Sequence, residues 1–347
     1  MDISINIPNR MNWIDWAKSL AIAFVVFGHI PADPNCFTHN YITSFHMPLF
    51  FFISGYLTKK EYMCKSTLVK YWQTLIIPYL CYNVIFYPYW VIRFTIDHPS
   101  TTWFDFVKPI LGALMLQIKL PYTDYLNGVT WFVSSLLVMK IILSVCNKYR
   151  AGIFIISFLG IASALFYIVN EFNLYVSTLT PVSFTKCFPF FILGYYCRQK
   201  ELISENVMKN YDVIYCIVGL LIGVITYTIA RQRTGIVIYG FFFWIMCLSS
   251  IIGILSLCKL MDGIKSKIIE NISIGTIVIM GLHWMFIGTT NFIISKVFHS
   301  YGYISYPLPL VITFTILFVA LEYPIIILFR NKYSFLLGKR QISKHSY

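Results

Sequence analysis

Three polar residues with a regular spacing lie in the first apolar segment of this 347-residue chain, namely Asp15, Lys18 and His29. In a helix, eleven residues bring the chain to within about 20° of its starting direction, and fourteen residues to within about 40°. The three side chains therefore share one stripe of a single helix. Ionisable groups inside a bilayer are costly and usually face protein or a water-filled cavity, so this stripe indicates a functional site. Its histidine is suited to take a proton from a hydroxyl group near neutral pH.

The composition is that of a polytopic membrane protein. Hydrophobic residues make up 58% of the chain and charged residues 12%, whereas soluble domains contain about 25% charged residues. No cleavable signal peptide is expected, because the polar residues 1–12 lack an apolar stretch followed by a small-residue cleavage site. The net charge of +13 comes from lysines and arginines scattered over short connections, so membrane orientation explains it better than nucleic-acid binding.

The chain is predicted to be an all-α bundle of about ten transmembrane helices that forms a single domain over residues 1–347. A span needs about 20 predominantly apolar residues. The predicted spans are 14–31, 41–58, 72–94, 129–147, 152–170, 182–197, 212–230, 236–258, 270–292 and 308–330. Segment 103–120 is apolar but contains Asp105, Lys108 and Pro109, which favours an interfacial or re-entrant helix over an eleventh span.

The distribution of basic residues predicts the orientation of these spans. With both termini in the cytoplasm, 18 of the 27 lysines and arginines fall in inner segments and 6 in outer ones, and the remaining three are Lys18, Lys140 and Lys186, within spans. Because cytoplasmic loops are enriched in Lys and Arg, both termini are predicted to be cytoplasmic. His29 then lies about 16 Å further out than Lys18. Alternatively, Asp15 and Lys18 only extend to the inner interface, and His29 is an interfacial histidine.

Other polar residues in the predicted spans admit two interpretations each. His46 begins the second span close to where His29 ends the first, and it is either a ligand-facing group or an interfacial one. Ser54 and Gly55 indicate either close helix packing or a narrow ligand passage. Glu322 is an acid in the last span whose partner the sequence does not identify. The nine cysteines show no CxxC pair and no metal-ligand spacing, so neither a disulfide nor a metal site is predicted.

Five parts of the sequence resemble one family of membrane proteins. They are Asp15-Trp-Ala-Lys18 with Gly28-His29, Phe45-His46-Met-Pro-Leu-Phe-Phe-Phe-Ile-Ser54-Gly55-Tyr-Leu57, Asn127-Gly-Val-Thr-Trp131-Phe132, Phe188-Pro-Phe-Phe-Ile-Leu-Gly194-Tyr195, and Asn271-Ile-Ser273 with Gly281-Leu-His283. Spread over about residues 10–330, they resemble the acyltransferase 3 family in the same order along the chain. Among its branches, the chain is most similar to the fucose-4-O-acetylase-like sugar acetyltransferases.

The resemblance implies a fold of about ten helices and the transfer of an acyl group, usually acetyl from acetyl-CoA, to a carbohydrate hydroxyl. Many members have an arginine eleven residues before the first-helix histidine, where this chain has Lys18. Lysine keeps the positive charge but loses the bidentate geometry of arginine toward phosphate. Acetyl-CoA is expected as a cosubstrate, and no metal is expected.

On this interpretation, His29 acts as general base on the acceptor hydroxyl or transiently carries the acetyl group, with Asp15 and His283 as further catalytic residues. The donor phosphates are expected at the basic inner face and the acceptor sugar at the outer side. The predicted donor-binding residues are Lys18, Ser54, Gly55, Lys59, Lys60 and Arg198, and the predicted acceptor-binding residues are His46, Asn127 and Trp131. The alternatives are a core histidine at His283 and an aromatic-belt tryptophan at Trp131.

The leading prediction is a multi-pass O-acetyltransferase of the bacterial inner (cytoplasmic) membrane, in contact with membrane lipid, that modifies a surface polysaccharide or its lipid-linked precursor. One rival is a transporter or flippase for a lipid-linked saccharide, in which the intramembrane charges line a path. Against it, the sequence shows none of the internal repeats found in many transporters. A second rival is a catalytically silent scaffold, which leaves the histidines without a role. The identity of the acceptor is not encoded in any recognisable motif.

Overall fold

The fold is helical throughout the residues that the computed structural model describes, which are 11–98, 100–117, 122–170, 182–203, 209–232, 236–298 and 304–338. The helices are α1 (Asn12–His29), α2 (Phe37–Tyr56), α3 (Lys65–Tyr71), α4 (Ile77–Asp97), α5 (Trp103–Leu114), α6 (Trp131–Cys146), α7 (Gly152–Asn170), α8 (Val182–Gln199), α9 (Lys209–Gln232), α10 (Ile236–Leu260), α11 (Lys267–Ile274), α12 (Thr276–Val297) and α13 (Leu308–Lys332). A π-helical turn, Trp72–Ile76, joins α3 to α4. Within these residues an isolated bridge between Ala32 and Tyr306 is the one β contact, which confirms the prediction of an all-α protein.

Six of the described helices are long and apolar enough to cross a membrane. They are Lys65–Asp97, Gly128–Cys146, Asn210–Gln232, Gly240–Leu260, Thr276–Val297 and Leu308–Lys332. Each overlaps a predicted span. The predicted spans 14–31, 41–58, 152–170 and 182–197 coincide with α1, α2, α7 and α8, which are shorter or less apolar. About ten spans therefore stay a prediction, and so does the side of the termini, because residues 1–10 and 339–347 lie outside the described part.

The position of α1 and α2 in the bundle explains their polar content. Helix α1 contacts α2, α10, α11, α12 and α13, and α2 lies between α1 and α8. Helices α9 and α13 lie further out and expose large apolar side chains such as Ile214 and Ile316. A helix enclosed by other helices faces protein on most sides, so it tolerates polar residues that a lipid-facing helix does not. The central helices can therefore position a polar site.

Helices α2 and α8 cross at a pair of glycines. A Cβ atom on Gly55 would overlap the carbonyl group of Phe191, and a Cβ atom on Gly194 would overlap that of Phe52. Small residues at such a crossing let two helix backbones approach each other closely. Of the two interpretations of Gly55, close helix packing is therefore confirmed, because the residue is buried in the contact between two helices, and the ligand passage stays a prediction.

Helix α5 occupies the start of the segment predicted to be interfacial or re-entrant. Its N-terminus has a capping box formed by Thr102 and Asp105, and Lys108 lies 2.8 Å from the carboxylate of Asp105. The contact with Lys108 is the main reason why the pKa of Asp105 is well below its usual value, and the hydrogen bonds from Thr102 lower this pKa further. The helix has 12 residues, which at about 1.5 Å per residue is too short to cross a hydrocarbon core of about 30 Å. Residues 118–120 of the predicted segment lie outside the described part.

Candidate active site

Two histidines from distant parts of the chain meet inside the bundle. His29 is the last residue of α1, because Pro31 disfavours a helical conformation at Ile30 and so ends the helix. His283 lies in α12 and is fully buried. Nε2 of His283 is 3.2 Å from Nδ1 of His29, and the ring centroids are 5.0 Å apart. Two of the predicted catalytic residues therefore lie in contact although 254 positions separate them.

Backbone carbonyl groups fix the proton positions of both rings. Nδ1 of His29 lies 2.8 Å from the carbonyl oxygen of Val25, and Nδ1 of His283 lies 2.7 Å from that of Ile279. Because a carbonyl oxygen can only accept, each neutral ring carries its proton on Nδ1. His29 then donates its Nδ1–H jointly to the Val25 carbonyl and to Nε2 of His283. Its own Nε2 keeps a lone pair and has no hydrogen-bond partner among the described residues.

The surroundings of His29 contain two further rings. The ring of Trp284 lies 5.3 Å from that of His29, and Trp284 is 41% exposed. His46 is buried in α2, and a Cβ atom on Gly28 would lie 3.6 Å from its Nε2. His46 therefore sits against the last turn of α1. Because its Nδ1 lies 2.8 Å from the carbonyl oxygen of Thr43, its Nε2 also carries a lone pair in the neutral ring.

The other end of the predicted stripe lies against α11. The hydroxyl of Ser273 donates a hydrogen bond of 2.6 Å to the carboxylate of buried Asp15, and the ammonium of Lys18 donates to the Ser273 carbonyl group. One turn away, the hydroxyl of Ser19 donates to the carbonyl of Ile269 at 3.0 Å. Along α1, Asp15 is fourteen residues or about 21 Å from His29. The stripe thus has a charged end at α11 and a histidine end at α12.

The predicted donor-binding residues outside α1 lie on α2, just beyond its end, and on α8. Lys59 and Lys60 are exposed beyond the end of α2. The guanidinium of Arg198 lies 5.5 Å from the ring centroid of Tyr56, near the start of α1. The hydroxyl of Ser54 donates to the Phe50 carbonyl within its own helix. Arg198 contacts Met11, the residue before α1.

Asn127 and Trp131 flank the short turn that leads into α6, of which Trp131 is the first residue. Asn127 is fully buried, and its amide group donates a hydrogen bond of 3.0 Å to the carbonyl of Gly281, two residues before His283. Trp131 is half-buried, with its ring 5.9 Å from that of Phe51. Asn127 therefore contacts the backbone that carries the catalytic candidate of α12, a structural role that its spacing in the sequence did not reveal.

Sequence reasoning missed Ser273 and Trp284 as site residues. The only sign of Ser273 was its place in the Asn271-Ile-Ser273 motif, and a serine in an apolar segment carries little information by itself. Trp284 directly follows His283, so its position next to that residue was available, but its contact with His29 depends on helix packing.

Glu322 is fully buried, and neither of its carboxyl oxygens has a hydrogen-bond partner in the described part of the chain.

No metal centre is evident in the residues that can be described. No group of three or more His, Cys, Asp and Glu side chains there could hold an ion. The nine cysteines are all free thiols.

Comparisons with known families cover this site. A family model with the description "Acyltransferase domain" matches residues 11–327. No curated protein and no solved structure gives a significant match. Every candidate residue named above, from Asp15 to His283, lies within the matched range.

Proposed function

The chain belongs to the acyltransferase 3 family, and we propose that it is a membrane O-acetyltransferase. In this proposal it moves an acetyl group from cytoplasmic acetyl-CoA to a hydroxyl group of a cell-surface polysaccharide or of its lipid-linked sugar precursor. The family match supports acyltransferase activity in a multi-pass membrane protein. The acetyl donor, the carbohydrate acceptor and the bacterial inner membrane belong to the proposal. The observation that carries it is the contact between His29 and His283, which leaves Nε2 of His29 available as a base.

The proposed reaction is direct transfer. Nε2 of His29 accepts the proton of the acceptor hydroxyl while the hydroxyl oxygen attacks the thioester carbonyl carbon. A new C–O bond forms, the C–S bond breaks, and the proton returns from His29 to the sulfur, so that the products are the acetyl ester and the free thiol. General-base assistance of this kind contributes about 10²–10⁴-fold to the rate.

His283 has a positioning role in this reaction. It accepts the Nδ1–H of His29 at 3.2 Å and so holds the ring with Nε2 directed away from α12. When Nε2 of His29 takes up a proton, the ring becomes positively charged, and the hydrogen bond from its Nδ1–H to His283 is strengthened. This is the general arrangement of a base oriented by a third group. Asn127 supports the position of His283, because its amide group donates a hydrogen bond to the carbonyl of Gly281 in the same helix.

The charged end of the stripe is assigned to the donor side. Asp15 is about 21 Å from His29 along α1, so we assign it to positioning Lys18 and Ser273 and not to the reacting atoms. Lys18 adds positive charge where the donor phosphates are expected. His46 and Trp284 lie next to the last turn of α1, and we assign them to contact with the acceptor.

Replacement of His29 tests the proposal. We expect His29→Ala and His29→Gln to lower O-acetylation of surface glycan, measured by mass spectrometry, by at least about 10²-fold. His98→Ala is the matched control, since His98 is exposed beyond α4 and remote from the stripe in sequence. Full activity of a well-inserted His29→Ala protein would show that His29 is not the base. If the purified unaltered protein neither binds nor consumes acetyl-CoA, the donor is wrong and the rival transporter prediction gains support.

A further inference from the structure

A polar recess opens at the charged end of α1. It has a volume of about 370 Å³ and is formed by the start of α1 and by the segment that leads into α11. Its lining residues are Asn12, Asp15, Lys265, Ser266, Lys267 and Glu270. Ligand pockets commonly have volumes of about 300–1,000 Å³, so this recess is large enough for a charged head group of a larger molecule.

The two lysines of the recess are available to an anion. Lys265 and Lys267 are exposed, and within the described residues neither has an ion-pair or hydrogen-bond partner. Of the two acids of the lining, Glu270 lies 3.5 Å from the guanidinium of Arg330, which offsets its charge, and Asp15 is buried and accepts a hydrogen bond from Ser273. The ammonium groups of Lys265 and Lys267 are therefore the charged groups of the recess that remain open to an anionic ligand.

The location of the recess links it to the candidate active site. Asp15 lines it, and Lys18 lies one turn further along the same stripe of α1. His29 lies about 21 Å beyond Asp15 along the helix. A donor that binds here with its charged head must carry its reactive carbonyl group at the end of a long arm. Coenzyme A thioesters have this form, with phosphate groups at one end of a pantetheine chain and the acyl group at the other.

We propose that Lys265 and Lys267 form the phosphate-binding site for the adenosine 3′,5′-phosphate end of the acyl-CoA donor. This proposal rests on the acyltransferase function proposed above. It places the donor head between α1 and α11, at lysines other than the predicted donor-binding residues Lys59 and Lys60. Lysine ammonium groups bind phosphate as point charges, so the site does not require the fork geometry of arginine.

The test compares two double variants of the full-length protein. In Lys265→Ala/Lys267→Ala we expect KM for acetyl-CoA to rise by about tenfold or more, as for the loss of charge-assisted hydrogen bonds. The inhibition constant of adenosine 3′,5′-bisphosphate should rise by a similar factor, while kcat stays within about twofold. Lys148→Ala/Lys200→Ala removes the same charge from exposed positions outside the recess and should leave both constants unchanged.

Two outcomes separate failure of this proposal from failure of the proposed function. If the unaltered protein turns over acetyl-CoA and the Lys265/Lys267 variant has the same KM and inhibition constant as the control, the recess is not the donor site. If the unaltered protein shows no turnover, the proposed function fails. Equilibrium binding of labelled adenosine 3′,5′-bisphosphate to the unaltered protein and to the Lys265/Lys267 variant then shows whether the recess binds this phosphate group. Lys267→Gln, which keeps a polar side chain, replaces the double variant if that protein does not elute as a single species.

Discussion

The hydrogen bond between His29 and His283 leads to the sharpest prediction. Replacing His283 by Leu removes Nε2, the acceptor that lies 3.2 Å from Nδ1 of His29, while the site remains buried and apolar. Replacing it by Gln returns a side-chain oxygen near the former position of Nε2. If His283 acts through His29, the two substitutions must differ in their effect on the chemical step.

The magnitude follows from the charge state of His29. A hydrogen bond between neutral groups contributes about 0.5–1.5 kcal/mol and one to a charged group about 1.5–3 kcal/mol. The difference, about 1–2 kcal/mol, is gained only when His29 becomes protonated, so it lowers the barrier and not the binding energy. At about 1.36 kcal/mol for each factor of ten, His283→Leu should lower kcat by about 5–30-fold. KM should change by less than about twofold, because substrate binding leaves His29 neutral.

The assay is steady-state acetyl transfer by purified protein in detergent, with monodispersity and thermal unfolding measured for each variant. We expect His283→Gln to recover most of the kcat that His283→Leu loses. A His283→Leu protein with unaltered kcat would refute the positioning role. Equal losses in both variants, at unchanged stability, would show that the shape of the imidazole matters and that its acceptor atom does not.

Three further predictions concern packing and exposure. Gly55→Ala should destabilise the protein by about 1–3 kcal/mol, seen as a lower Tm, because the added Cβ overlaps the backbone of α8. Asn127→Ala should cost about 1–3 kcal/mol of stability and also lower kcat, because the buried Gly281 carbonyl loses its donor next to His283. Cys64 should react with an impermeant maleimide from the cytoplasmic side, at a rate that rises through pH 7, because hydrogen bonds from neighbouring hydroxyl groups lower its pKa to about 7.

The first of these has a control in the chain, and the other two have outcomes that would contradict them. Gly263→Ala adds a Cβ where no atom lies within 4 Å, so a Tm loss equal to that of Gly55→Ala would argue against the close crossing. For Asn127, unchanged stability would show that water replaces its amide group. Below pH 7 the rate at Cys64 should fall about tenfold per pH unit, because only the thiolate reacts. If the impermeant maleimide labels the protein in intact cells and Cys64→Ser abolishes this labelling, Cys64 lies outside and the predicted orientation is wrong.

The sequence predicted the helices well wherever the apolar signal was strong. The spans 72–94 and 308–330 fall within helices that are apolar enough to cross a membrane, and 129–147 exceeds such a helix by its last residue alone. The signal is weaker in α1 and α2, where polar residues such as Lys18 and His46 interrupt the apolar pattern. The reason is their central position, since neighbouring helices and not lipid surround them.

The donor side shows where sequence reasoning reached its limit. Arg198 and Lys59 were natural candidates, because both follow spans whose inner ends were predicted. Lys265 and Lys267 contributed to the prediction only through the count of lysines and arginines in the inner segments. Which of these basic residues border the charged end of α1 depends on how the connection before α11 folds against it, and 250 residues separate Asp15 from Lys265.

The sequence by itself determined that Asp15, Lys18 and His29 share one stripe, because the pitch of a helix fixes the direction of each side chain within it. The length and order of the apolar segments also followed from the positions of apolar residues along the sequence. Only the tertiary structure decided what that stripe faces: Ser273 at one end and His283 at the other. Such contacts depend on the rotation and crossing of helices packed by side chains distant in sequence, and no local pattern encodes them. His29 became a candidate base through its spacing, and the structure gave it a partner.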